Sequence, residues 1–155
     1  MAGPTFIAAL AGAALLASAV SAPAATGERL PLEIAGPEGS HTFMVELAVT
    51  PEARSRGLMF RREMGEDEGM LFDFDTEREI TMWMRNTYLP LDMVFIGEDG
   101  TVKSIARSTT PLSERIISSN VPARYVLEIN AGRAAATGVR PGARVSGAAM
   151  DALTR

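Results

Sequence analysis

The sequence predicts a mainly β protein, a small closed or partly open β-barrel of seven to eight short strands with one or two short helices. Two observations carry that prediction. Apolar and polar residues alternate over short stretches, and turns rich in glycine, proline or aspartate separate nearly all of them. The clearest case is Gly97-Glu98-Asp99-Gly100, whose Asp-Gly step between two apolar runs marks a tight hairpin.

The elements follow in order. Leu30, Leu32 and Ile34 alternate before the turn at Gly36-Pro37-Glu38-Gly39-Ser40, and Phe43, Val45, Leu47 and Val49 alternate after it, which predicts a first hairpin. Thr50-Pro51-Glu52 supplies an N-cap, a proline at the first helical position and an acid in the first turn, so a short helix should run to about Arg56 and stop at Gly57. Gly69 to Phe74 and Ile80 to Met84 read as a second pair of strands, separated by the polar Asp75-Thr76-Glu77-Arg78-Glu79. Leu91 to Ile96 and Thr101 to Ala106 form the Asp-Gly hairpin. Tyr125 to Asn130 adds a strand, Ala131 to Thr137 a short helix ended by Gly138, and Arg140-Pro141-Gly142 a turn into a last strand at Arg144 to Ser146.

The N-terminus follows a different pattern. Met1 to Thr26 carries no charged side chain, and Phe6 to Val20 is an apolar run shorter than the roughly 20 residues needed to span a bilayer. The small residues Ser21 to Ala25 follow it. The expected division is a signal peptide over 1–24, a linker over 25–29 and one domain over 30–150, placing that domain in the periplasm or outside the cell with no stable membrane insertion after cleavage.

Composition narrows the function. Fifteen Lys and Arg against nineteen Asp and Glu give a net charge of −4, which argues against nucleic acid as a partner. The absence of cysteine excludes disulfides, thiolate catalysis and Cys-based zinc sites. No Gly-x-Ser-x-Gly, His-Glu-x-x-His or phosphate-loop motif is present, so no residue is assigned as catalytic and no cofactor is implied. The single histidine, His41, reads as a surface residue at the edge of the first hairpin.

Four ordered motifs stand out: Arg56-Gly57-Leu58-Met59-Phe60-Arg61, Gly69-Met70-Leu71-Phe72, Trp83-Met84-Arg85-Asn86-Thr87 and Leu91-Asp92-Met93-Val94-Phe95-Ile96. Together with Val126 to Gly132 and the Gly138 to Val145 segment, they resemble the DUF192 family, also called UPF0127. The resemblance implies a small, mainly β domain, often exported, with no established activity. Arg85 stands where that family often has lysine.

Seven residues are the binding candidates: Arg56, Trp83, Arg85, Asn86, Thr87, Asp92 and Glu128. Trp83, the sole tryptophan, suits a core lid or an aromatic platform for a ligand such as a sugar. Asp92 shares a strand face with Val94 and Ile96, and a carboxylate there needs partners from the Asn86–Thr87 region, Arg85 or Arg56, as a structural staple or a functional acid. Glu128 repeats the pattern, placed beside Val126 and opposite Leu127 and Ile129. These features support three readings: an exported non-catalytic binding or accessory domain of the cell envelope, with an unidentified small molecule or envelope component as partner; a glycan-directed hydrolase or lyase using Asp92 and Glu128 as acid and base; and a copper handler using Met59, Met70, Met82, Met84 and Met93. Against the last, methionine in apolar runs more simply fills core gaps, and no metal site is assigned.

Overall fold

The computed structural model describes residues 27–154; the predicted signal peptide over 1–24 lies outside the described residues. Seven strands form one sheet: β1 (Leu30–Gly36), β2 (Gly39–Ala48), β3 (Glu68–Met82), β4 (Leu91–Ile96), β5 (Val102–Ala106), β6 (Ile117–Asn130) and β7 (Arg144–Ser146). Three short helices accompany them: α1 (Pro51–Arg56), α2 (Arg133–Ala136) and α3 (Ala148–Leu153). The strand order is β5-β4-β6-β3-β2-β1-β7.

The sheet curls until its edges meet at one end. Thr101, just before β5, bridges Arg144 of β7, and the amides of Val102 and Val145 donate to the carbonyls of Ala143 and Gly100. The result is a partly open barrel, since the rest of the two edge strands stays unpaired with one another. Among the described residues, no helix is long and apolar enough to cross a membrane.

Local chemistry sets the first half. β1 and β2 pair from Leu30 opposite Val45 to Gly36 opposite Gly39, closed by a tight turn at Pro37-Glu38 in which Gly39 takes a φ of 125°. The Thr50 hydroxyl accepts from the Ala53 amide at 3.1 Å, capping α1, and the Gly57 amide donates back to the Ala53 carbonyl. This crossover returns the chain to pair β3 parallel with β2.

One expectation fails here. Asp75 to Glu79 does not separate two strands; it lies within the single strand β3, and β6 begins at Ile117, well before the expected Tyr125. Asp75 takes a φ of 69°, and the register with β6 shifts between Asp73 and Arg78 and again near Ile80, so the strand bends without ending. The polar segment is exposed at every position because this end of the β3–β6 ribbon has water on both faces, and Pro122 sits at the irregular register opposite Glu79. Helix α3, which the sequence reading did not foresee, packs on β1 and β7.

β3, β4 and β6 are covered on both faces. Inside the barrel, Leu71, Val94, Ile96, Leu127 and Ile129 pack with residues of β1, β2 and β7. On the outer face, Met70, Phe72, Met93, Phe95 and Val126 pack under Leu58, Ile80 and Met84. The outer layer, between central strands and the α1 loop, holds the candidate site.

Candidate functional site

The alternation of β6 places the first functional group. Tyr125, Leu127 and Ile129 point into the barrel, so Val126 and Glu128 point to the outer face. Glu128 sits between Met70 of β3 and Met93 of β4 and is only 4% exposed. That exposure opens into a pocket of about 340 Å³. Burial is what acts on this carboxyl, and it pushes the pKa up to about 8. At neutral pH Glu128 is therefore mostly a neutral acid, able both to donate and to accept a hydrogen bond.

The pocket wall comes from α1, the loop after it and the end of β3. Leu58, Met59, Phe72 and Met82 supply its apolar surface, and Arg54, Arg56 and Arg78 its positive charge. Arg54 is committed elsewhere: one guanidinium nitrogen donates to the carbonyls of Val49 and Asp73, both at 2.7 Å, and another lies 3.3 Å from Asp75. Arg78 stacks over Phe74 at 5.5 Å. Neither Arg56 nor Arg78 ion-pairs with a carboxylate among the described residues.

Trp83 is 43% exposed and lines the pocket, so it is a wall rather than a core lid. Arg85 extends over its ring at 5.4 Å while approaching Glu114 at 3.5 Å. Thr87, buried and also lining the pocket, donates its hydroxyl to the Arg85 carbonyl at 3.2 Å, which fixes the turn behind Trp83. Asn86 occupies the left-handed region at φ 54°; its carbonyl accepts from the Phe60 amide and its side-chain amide faces the Met59 sulfur at 3.9 Å. Of the seven candidates, the fold therefore brings Arg56, Trp83, Thr87 and Glu128 to one pocket, with Arg85 on its rim and Asn86 shaping its loop.

Asp92 is elsewhere. It is fully buried, and its carboxylate accepts from the amides of Ser108 at 2.8 Å, Gly132 at 3.0 Å and Ala134 at 3.1 Å. The partners expected from the Asn86–Thr87 region, Arg85 or Arg56 are replaced by these backbone donors, because Asp92 faces the barrel side of β4, where the start of α2 and the loop after β5 converge. It ties those two segments to the sheet. Glu128 lies on the opposite face, so the two acids do not face one another across a cleft, and the expected acid/base pair is not assembled.

A broader groove of about 860 Å³ adjoins the pocket and shares Arg56 and Met59 with it. In it, Arg61 pairs with Glu46 through two hydrogen bonds at 2.7 and 2.5 Å, and Arg29 reaches Glu68 at 2.8 Å. The Arg61 hydrogen bonds hold the buried Glu46 carboxyl below the usual range. On the far side, His41 and Arg133 bind Asp67 and lower its pKa in the same manner. Among the described residues no group of three or more His, Cys, Asp or Glu could hold a metal. Met84 and Met93 are core residues, and the Met84 sulfur accepts from the Thr109 hydroxyl.

Arg54 and Arg78 were not among the sequence candidates. Arg54 shares α1 with Arg56, so the helix carries a signal for it; Arg78 lies in a segment that reads as a turn, and only the unbroken strand brings it to the pocket.

The family model DUF192, described as an uncharacterized ACR, matches residues 33–147. No curated protein matches the chain. A crystal structure from Sinorhizobium meliloti, described as a "putative transcription regulator", is 48% identical over 81% of this chain and 98% of its own, with a TM-score of 0.77. A protein of unknown function from Novosphingobium aromaticivorans is 40% identical over 87% of this chain and 99% of its own, with a TM-score of 0.75.

Proposed function

The chain belongs to the DUF192 family, and on that premise we propose that it is an exported, non-catalytic binding or accessory domain of the cell envelope whose ligand enters the pocket floored by Glu128. The observation that carries the reading is the buried Glu128 carboxyl opening into a pocket walled by an exposed tryptophan. Keeping an acid buried without a charged partner costs stability, and a site that orders a ligand is a reason to retain it. Export rests on the uncharged, apolar Met1–Thr26 and the small residues that end it.

The separation of Asp92 and Glu128 onto opposite faces of the sheet argues against the glycan-cleaving reading. Control of transcription, suggested only by the description of the Sinorhizobium meliloti protein, draws no support from a net charge of −4. Met59 and Met82 line the pocket beside Glu128, which favours a second reading as a Cu(I) site; competition with a chromogenic Cu(I) chelator tests it.

Thermal-shift screening of the processed chain against small polar molecules tests the first reading. A binder raises Tm by mass action, and its effect should disappear in Trp83→Ala. A shift that survives both Trp83→Ala and Glu128→Ala would place binding elsewhere and contradict the reading.

A further inference from the structure

The charged groups lining the pocket are Arg54, Arg56, Arg78 and Glu128, and they are unequally satisfied. Arg54 is held by two carbonyls and Asp75. Arg56 and Arg78 have no carboxylate partner among the described residues; both are exposed, at the mouth of a pocket whose inner wall is apolar, where their guanidiniums are open to an incoming oxyanion. Glu128 is at the floor, flanked by Met70 and Met93 on the neighbouring strands, with no arginine close enough to offset its burial.

We propose that the pocket selects a small ring-bearing organic anion, its carboxylate on Arg56 and Arg78, its ring against Trp83, and a hydroxyl at its far end on Glu128. This rests on the reading of the pocket as a ligand site and names the chemistry of its occupant. A cation is disfavoured by three arginines on the wall. A neutral ring makes no use of the two guanidiniums that lack a carboxylate partner. A doubly anionic molecule meets a floor acid that cannot neutralise it. A hydroxyl complements Glu128 best, because a protonated carboxyl donates to the hydroxyl oxygen and accepts its hydrogen. The wall fits the ring: Met82 and Leu58 are apolar, and Trp83 offers an exposed aromatic surface. Arg56 also lines the adjoining groove beside Arg62, which gives a larger anion room to extend from the same anchor.

Trp83 is the sole tryptophan, so its emission reports on the pocket directly. The test titrates the protein with 4-hydroxybenzoate, 4-hydroxybenzyl alcohol and 4-hydroxybenzylamine, which share a ring and hydroxyl but differ in charge. Saturable quenching by 4-hydroxybenzoate is expected, at least tenfold tighter than by the alcohol, weakened at least tenfold in both Arg56→Ala and Arg78→Ala. Since the bound form needs the Glu128 proton, affinity should fall about fivefold from pH 8 to pH 9, below the titration of the ligand's own phenol, and Glu128→Gln, which stays neutral, should bind without that fall over the same range. Equal or tighter binding of the alcohol or amine would overturn the anion inference and leave the pocket standing as a ligand site. No response of Trp83 to any of the three at 10 mM would overturn the proposed occupant, and a thermal-shift stabiliser unaffected by Trp83→Ala and Glu128→Ala would overturn the pocket reading as well.

Discussion

Replacing Glu128 with glutamine should stabilise the protein at neutral pH, and the size of the gain follows from burial. The folded acid titrates at about 8 against an ordinary value of 4.5. Between those values the folded chain holds a proton that the unfolded chain has released, so stability falls as pH rises. At about 1.36 kcal/mol per unit, the parent gives up roughly 3 kcal/mol between pH 4.5 and pH 7, and roughly 5 kcal/mol above pH 8. Glutamine removes this loss but carries an amide whose hydrogens need partners in the pocket, a cost of about 1 kcal/mol. The net expectation at pH 7 is a gain of about 2 kcal/mol, read as a higher urea midpoint at unchanged slope. Glu46, Asp67 and Asp99 have depressed folded values, so they contribute above the ordinary carboxylate range and lose that contribution only as pH falls through it, outside the window of Glu128. Urea titrations of both proteins at pH 5, 7 and 8.5 decide the matter. A difference between them that stays constant across the three pH values would refute the reasoning.

The remaining expectations concern groups with defined partners. Asp92→Asn turns an amide nitrogen toward backbone donors that now bind a carboxylate and should cost about 2–4 kcal/mol by urea denaturation; a variant as stable as the parent would remove Asp92 from its role as the tie between α2 and the loop after β5. Trp83→Ala should cost under about 1 kcal/mol, because the ring is 43% exposed, whereas a loss of about 3–5 kcal/mol would make it a core residue. Arg61→Ala leaves the buried Glu46 carboxylate with only Arg29 at 3.6 Å and should cost about 1–2 kcal/mol at pH 7, with the deficit shrinking as pH falls through the folded pKa of Glu46; an equal deficit at pH 3 would contradict that origin.

The two hairpins, the cap of α1 and the separation of Glu128 from Leu127 and Ile129 across the strand were legible because alternation, Thr50-Pro51 and the Asp-Gly step are local signals. The β3–β6 ribbon was not. Asp75 to Glu79 is polar because it faces water along a strand, a composition that a turn shares, and only pairing with residues some forty positions away distinguishes the two. The role of Asp92 was half legible: a carboxylate among valine and isoleucine must have partners, but those partners are backbone amides of Ser108, Gly132 and Ala134, which carry no side-chain signature. The pocket itself required the fold, since Arg56, Arg78, Trp83 and Glu128 come from four separate segments.

The account turns on the protonation of Glu128 and its response to a ligand in the same pocket. A ¹³C NMR titration of the Glu128 side-chain carboxyl, with and without 4-hydroxybenzoate, measures both at once. The account predicts a midpoint near 8 in the free protein, moved higher when the anion is bound; a midpoint near 4.5, unchanged by the anion, would contradict it.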